Sequence, residues 1–236
     1  GNGWHVVGYD QRGHGRSGGP RGGLAKDDSL LTDLAQVVDQ VRAQRPGRLV
    51  MLGHSMGGLV AARFVAESVA DVPAGWSRPL DALVLSSPAL GPGMGLFGNL
   101  LLAAGSLMPE HAVGNGLKSE WVSRDAAVVA AYVADPLNHD RITPRLARFI
   151  VDGGERVREL APRWATPTLL LWAGADRCVA PAGSAGFAAA APKGLLQVRC
   201  FDGLYHEIFN EPEKGEVVAE LLRWLAAPKL APGDHA

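Results

Sequence analysis

The stretch that decides the fold is residues 49–60, Leu49-Val50-Met51-Leu52-Gly53-His54-Ser55-Met56-Gly57-Gly58-Leu59-Val60. It has the pattern of a buried strand, then Gly-x-Ser-x-Gly, then the start of a helix. A serine at such a turn projects its hydroxyl outward, and small neighbours let the backbone turn without a clash. We therefore predict that Ser55 is a nucleophile and that the Met56 amide donates to an oxyanion. The simpler alternative is that Ser55 only caps a helix.

A serine nucleophile needs a histidine base and an acid that orients the base. When a strand–turn–helix carries the serine, the order along the chain is serine, acid, histidine. His206 is the histidine that follows the last predicted strand, and Asp176 follows the apolar run 168–173. We predict that Asp176 is the acid. Asp202 is the alternative, but it precedes His206 on the same loop, and an acid from a neighbouring strand reaches the imidazole more naturally.

Short apolar runs alternate along the chain with longer runs whose apolar residues recur at helical spacing. This alternation predicts a mostly parallel sheet with helices on both sides, an α/β fold. The predicted strands are residues 5–9, 48–52, 82–85, 168–173 and 195–201, and the predicted helices include 30–44, 59–69 and 217–225.

One long stretch interrupts the alternation. Roughly 80 residues before Thr168 contain no good strand candidate, and a structureless loop of that length is implausible in a compact domain. Residues 90–108 are apolar and rich in glycine, and helices are predicted at 124–134 and 144–160. We predict a helical cap at 89–163, inserted into a core formed by residues 1–88 and 164–236.

Composition excludes several functions. The 236 residues are 47% hydrophobic with a formal net charge of −1, which suits one folded domain and gives no general attraction to nucleic acid. No apolar run is long enough for a transmembrane segment.

Two Gly-x-Gly-x-x-Gly strings, at 13–18 and 93–98, lack the strand–helix context of a dinucleotide site. We predict no cofactor and no metal. The two cysteines lack a pairing pattern, which favours a reducing, cytoplasmic compartment.

Several segments together carry a family resemblance: Tyr9-Asp10-Gln11-Arg12-Gly13-His14-Gly15-Arg16-Ser17, Gly53-His54-Ser55-Met56-Gly57-Gly58, Leu85-Ser86-Ser87-Pro88-Ala89-Leu90, Asp135-Pro136-Leu137 and Tyr205-His206-Glu207-Ile208-Phe209-Asn210-Glu211. They resemble the monoacylglycerol lipase/lysophospholipase-like branch of the α/β-hydrolase superfamily. The resemblance implies an α/β-hydrolase fold with an inserted cap, and an esterase that acts on a monoglyceride or similar small acyl ester without a cofactor.

The resemblance also implies that Ser55, Asp176 and His206 are the triad and that residues 90–108 shape an acyl channel. The alternative for this segment is that it forms the core of the cap. We also expect the cap to make transient contact with a lipid surface. The family's second oxyanion donor comes from a His-Gly loop after an early strand. We expect that loop and the early strands to lie upstream of Gly1. Other serine hydrolases, namely a thioesterase, a peptidase or a polyester-fragment esterase, remain alternatives. So does a slow-turnover ligand-binding protein that retains the triad.

Overall fold

The computed structural model describes residues 3–91 and 108–227. In chain order, the strands are β1 (Val50–His54), β2 (Ala82–Ser86), β3 (Val113–Gly114), β4 (Arg141–Ile142), β5 (Thr168–Ala173) and β6 (Leu196–Phe201). The α-helices are α1 (Ser29–Gln44), α2 (Ser55–Ala66), α3 (Ala126–Ala134), α4 (Pro144–Leu160), α5 (Pro181–Ala190) and α6 (Lys214–Leu225).

A parallel sheet organises the chain. Its strand order is β1-β2-β5-β6, and each neighbouring pair is parallel. All five residues of β2 are buried, as expected of a strand covered on both faces. The loops that follow β1, β2, β5 and β6 therefore meet at one edge of the sheet, where ligand sites of α/β folds lie.

Apolar side chains pack on both faces of the sheet. The larger cluster joins α1, α2, α4 and α5 to one face, with fully buried residues such as Leu59, Phe64 and Leu170. The smaller cluster covers the other face and includes Val84, Leu169 and residues of α6. The fold is thus three-layered, with the sheet in the middle.

Four of the five predicted strands are present within two residues of their predicted bounds, but residues 5–9 do not form a strand. Val6 and Val7 are 86% and 53% exposed. A strand requires a hydrogen-bonded neighbour, and among the described residues β1 pairs only with β2, so this run has no ladder to join. Leu52 of β1, the edge strand beside β2 in the described ranges, is itself 50% exposed.

The region predicted to lack strands contains a short antiparallel ladder between β3 and β4, in which Val113 pairs with Ile142. Two-residue strands leave no periodic signal, so pattern analysis could not find them. The prediction for residues 90–108 falls largely outside the described residues. Within the described ranges, no helix is both long enough and apolar enough to cross a membrane.

Candidate active site

The turn between β1 and α2 positions Ser55 at the carboxyl edge of the sheet. β1 ends at His54 and α2 begins at Ser55, so no loop separates them. Ser55 has a φ of 54°, in the left-handed region that a residue with a side chain adopts only where its surroundings impose it. The backbone thus makes the sharp turn that an exposed nucleophile requires, and the Met56 amide lies in the first turn of α2.

Close backbone packing explains two glycines around this turn. A Cβ on Gly53 would lie 2.5 Å from the carbonyl oxygen of Gly57, and a Cβ on Gly58 would lie 2.9 Å from the Cβ of Pro88. By contrast, the nearest described atom to a Cβ on Gly57 would be 3.9 Å away. Packing therefore requires Gly53 and Gly58, while Gly57, the second glycine of the sequence motif, has free space beside it.

Asp176 and His206 are joined by a hydrogen bond. Nδ1 of His206 lies 2.7 Å from Oδ2 of Asp176, and the two side chains are only 7% and 3% exposed. The other carboxylate oxygen of Asp176 accepts from the amides of Cys178 and Val179, at 2.8 and 2.9 Å. Because an ionised carboxylate only accepts, Nδ1 of His206 is the donor in this hydrogen bond. In the neutral ring, Nε2 then has a free lone pair that can accept a proton.

Backbone hydrogen bonds hold the loops of Asp176 and His206 together. The Gly174 amide donates to the carbonyl of Phe201 at 2.9 Å, and the Ala175 amide donates to that of Leu204 at 3.2 Å. Asp202, the alternative acid, is exposed on this loop and lies beside the thiol of Cys200. Burial, and then the hydrogen bond and charge of Asp202, raise the pKa of Cys200 to about 11.

His54 packs against His206. The two ring centroids are 4.7 Å apart, and Nδ1 of His54 is 3.0 Å from Oγ of Ser86. Burial, followed by the neighbouring His206, lowers the pKa of His54 to about 3. His54 is therefore neutral over the physiological range and forms an uncharged wall beside the catalytic candidate. Sequence reasoning assigned it no role, because a residue inside the Gly-x-Ser-x-Gly motif gives no sign of which way its ring points.

Cys178 lies close to the Asp176–His206 pair. In the part of the chain that the structure describes, these three residues are the group whose possible metal ligands all lie within 4.8 Å of one another. Burial, and then the charge of Asp176, raise the pKa of the Cys178 thiol to about 12. A cation such as Zn²⁺ could bind there only by displacing the thiol proton and competing with the Asp176–His206 hydrogen bond.

A second acidic residue, Glu211, is fully buried beside the loop of His206. Its carboxylate accepts hydrogen bonds from Ser123, Arg124 and the backbone of Tyr205. Burial by itself would raise the pKa of Glu211, but these hydrogen bonds outweigh burial and hold the pKa below its usual value. Sequence reasoning missed this residue, although it closes the segment 205–211 on which the family resemblance rests.

An open cleft of about 780 Å³ borders the same loops. Its walls include α3 on one side and Arg177 and Tyr205 on the other, and these two residues adjoin Asp176 and His206 in the chain. The Arg177 guanidinium lies 5.0 Å from the centroid of the Tyr205 ring. The cleft therefore reaches the chain neighbours of the Asp176–His206 pair, but Ser55, Asp176 and His206 are not among the residues that line it.

Comparison with known proteins shows the family of the chain. The sequence profile of the family described as "Serine aminopeptidase, S33" matches residues 1–213. The chain belongs to this family. A monoacylglycerol lipase from Mycolicibacterium smegmatis is 34% identical over 227 residues, covering 94% of this chain and 78% of the relative. The crystal structure of a Paleococcus ferrophilus monoacylglycerol lipase has a TM-score of 0.75 at 32% identity, covering 90% of this chain and 79% of that one.

A further relative is much longer than this chain. An uncharacterized abhydrolase domain-containing protein from Dictyostelium discoideum is 31% identical over 227 residues, which are 93% of this chain but 23% of that protein. Taken together, the similarities confirm the predicted α/β-hydrolase fold and the predicted class of enzyme, a serine ester hydrolase of the monoacylglycerol lipase-like kind.

Proposed function

We propose that this α/β-hydrolase cleaves monoglycerides or similar small acyl esters through an acyl-enzyme on Ser55. The observation that carries the proposal is the buried hydrogen bond between Asp176 and His206, at the sheet edge where Ser55 occupies a strained strand–helix turn. The names of the M. smegmatis relative and the P. ferrophilus structure support the monoglyceride as substrate.

In the first half of the reaction, Nε2 of His206 takes the proton of the Ser55 hydroxyl as its oxygen attacks the ester carbonyl. Asp176 stabilises the imidazolium that forms, because its carboxylate already accepts from Nδ1. The Met56 amide donates to the oxyanion at the N-terminus of α2, where the helix dipole also favours negative charge. The intermediate collapses, the imidazolium gives its proton to the departing alcohol oxygen, and the acyl group stays on Ser55.

In the second half, water replaces the alcohol. His206 takes a proton from the water as it attacks the acyl carbonyl, and the new oxyanion binds to the same amide. When the carbon–oxygen bond to Ser55 breaks, the proton returns from His206 to the serine oxygen. The products are a fatty acid and an alcohol, and no oxidant, metal or cofactor takes part in these steps.

The variant Ser55→Ala tests the nucleophile. We expect it to abolish the burst of p-nitrophenol from a p-nitrophenyl ester and to lower turnover by several orders of magnitude. Ser87→Ala is a matched control, since Ser87 also has a positive φ, 40°, and directly follows the neighbouring strand β2. Wild-type turnover by Ser55→Ala, or equal losses in the two variants, would contradict the assignment.

A substrate panel tests the ester class. Monoglycerides of graded chain length, a thioester, a polyester fragment and an amino-acid amide should be compared by kcat/KM. We expect the monoglycerides to be preferred. Preference for the thioester, the polyester fragment or the amide would instead favour one of the other serine hydrolases, and tight binding without turnover would indicate a ligand-binding protein.

We further propose transient contact between the cap and a lipid surface. α3 consists of alanine, valine and one tyrosine, none of its residues is buried, and Val133 is 66% exposed. Val133→Glu should weaken flotation with phosphatidylcholine vesicles, whereas Val72→Glu should not, although Val72, which lies just beyond α2, is 84% exposed. Equal flotation of both variants would contradict this contact.

A cytoplasmic location is also proposed, and the two free cysteines, Cys178 and Cys200, support a reducing compartment. Fractionation of cells that express the native gene tests it, with recovery among secreted proteins as the contrary result.

A further inference from the structure

The loop that carries His206 is attached on both sides to residues 122–124, in the region predicted to be the cap. The amide of Glu207, which follows His206, donates to the carbonyl of Val122 at 2.8 Å. The amide of Tyr205, which precedes His206, donates to Oε2 of Glu211 at 3.0 Å. Glu211 in turn accepts from Ser123 and Arg124, so the chain is held immediately before and immediately after His206.

The hydrogen bonds of Glu211 use the full accepting capacity of its carboxylate. Oε1 accepts from Oγ of Ser123 at 2.6 Å and from the amide of Arg124 at 2.7 Å. Oε2 accepts from Nε of Arg124 at 2.6 Å and from the amide of Tyr205. A carboxylate offers about four lone-pair positions, and all four are engaged here. The Glu211 side chain is 0% exposed, so a lost hydrogen bond could not be replaced by bulk water.

The contacts of Glu211 include more than an ion pair in the core would require. The positive charge of Arg124 is shared with Glu213, whose side chain is 41% exposed. Glu211 alone of these two acids contacts the loop of His206, through the Tyr205 amide. Two acids of equal charge thus meet the same arginine, and one of them also fixes the backbone beside the catalytic base.

We propose that Glu211 is a positioning residue for His206: it fixes the Tyr205 amide and residues 123–124 as one unit, so that the position of the cap region sets the geometry of the Asp176–His206 pair. Because Tyr205 and Glu207 are both tied to residues 122–124, a displacement of that segment moves the backbone of His206. The inference rests on the proposed role of His206 as the base.

The variant Glu211→Gln tests the proposal, since the amide cannot accept at all four positions and its NH₂ group faces at least one donor. We expect kcat to fall by up to about 100-fold with a smaller change in KM, because a misplaced catalytic group lowers the rate of the chemical step. We also expect the acid limb of the kcat/KM profile to move to lower pH, because Asp176 stabilises the imidazolium of a displaced His206 less.

Glu213→Gln is the matched control. It removes the same charge from the same arginine but leaves Tyr205 untouched, so we expect kcat and the pH profile to stay near the wild-type values. If Glu213→Gln reproduces the changes of Glu211→Gln, the effect is one of charge or general stability and the proposal fails. The same conclusion holds if Glu211→Gln lowers the melting temperature while kcat per active site, counted by titration with a fluorophosphonate, is unchanged.

Ser123→Ala tests the link between the loop of His206 and the cap region. It also provides a test of the proposal if Glu211→Gln does not fold. It removes two hydrogen bonds on the cap side, the one that Oγ of Ser123 donates to Glu211 and the one that it accepts from the Asp125 amide. The Tyr205 bond stays intact, so we expect a smaller shift of the pH profile in the same direction. A profile identical to the wild type would overturn the link. The downfield proton resonance of His206 Nδ1–H gives a readout without substrate: it should change in Glu211→Gln even if the enzyme acts on a different ester.

Discussion

The substitution Asp176→Asn is the most direct test of the hydrogen bond between Asp176 and His206. One carboxylate oxygen of Asp176 accepts from two backbone amides, and the other accepts from His206. Asparagine has one accepting oxygen and one donating NH₂ group. The two amides, those of Cys178 and Val179, can only donate, so the oxygen of the introduced asparagine is held on their side and its NH₂ group faces His206.

An NH₂ group next to Nδ1 of His206 favours the wrong tautomer of the imidazole. Nδ1 must then accept, so the proton moves to Nε2, which can no longer take the proton of Ser55. A substitution of this kind in a serine–histidine–aspartate triad lowers kcat by about 10⁴-fold. At about 1.36 kcal/mol for each factor of ten, this corresponds to a barrier higher by about 5.4 kcal/mol. The fold should be retained, because asparagine has nearly the same shape as aspartate.

The assay is steady-state hydrolysis of a p-nitrophenyl ester, with circular dichroism to confirm the fold. Asp202→Asn is the control, since Asp202 is the other acid near His206 in the sequence but lies beside Cys200. We expect Asp202→Asn to keep nearly full activity. The reasoning is refuted if Asp176→Asn stays within about tenfold of the wild type, or if Asp202→Asn causes the larger loss.

Three further predictions follow from the packing and charges around Ser55. Gly53→Ala should lower the free energy of unfolding in urea by about 1–3 kcal/mol, because its Cβ would lie 2.5 Å from the carbonyl oxygen of Gly57; Gly57→Ala should not. The pKa of Cys178, about 12, leaves on the order of 10³-fold less thiolate at pH 8 than an ordinary cysteine has, and the higher nucleophilicity of that thiolate offsets part of this loss. A disulfide reagent should therefore label Cys178 roughly 10–100-fold more slowly than an ordinary cysteine, and labelling at an ordinary rate would contradict this. Because the pKa of His54 is about 3 when folded and 6.5 in the reference state, the unfolded chain binds the extra proton between these values. Stability should therefore fall as pH decreases from 6.5 towards 3, and His54→Gln should flatten that fall in pH-dependent urea denaturation.

The sequence alone was enough to predict the sheet and the residues around its edge wherever the pattern of apolar residues is strong. Runs such as Thr168–Ala173 are apolar throughout because both faces of the sheet are covered, and this signal does not depend on tertiary detail. The strand–helix turn at Ser55 was predictable for a similar reason, since Gly53 packs against the backbone of Gly57, only four residues later. The bounds of β1 were shifted by two residues because Gly53 and His54 continue the strand without being apolar.

Features that depend on distant contacts could not be predicted in the same way. The apolar residues 5–9 resemble a strand, but without a hydrogen-bonded neighbour in the described ranges they remain exposed. α5 was not predicted because it consists largely of alanine and glycine and its apolar residues show little helical periodicity. The role of Glu211 depends on Ser123 and Arg124, more than 80 residues earlier, and no local pattern connects them.

The central claim is that Ser55 carries the acyl group, and mass spectrometry of the trapped intermediate tests it most directly. The enzyme should be quenched in acid during turnover of a p-nitrophenyl ester, digested and mapped. We predict one acyl adduct, on the peptide that contains Ser55, lost in Ser55→Ala and retained in Ser87→Ala. An adduct on Ser87, on Cys178 or on another residue in the Ser55→Ala variant, formed at the wild-type rate, would contradict the mechanism.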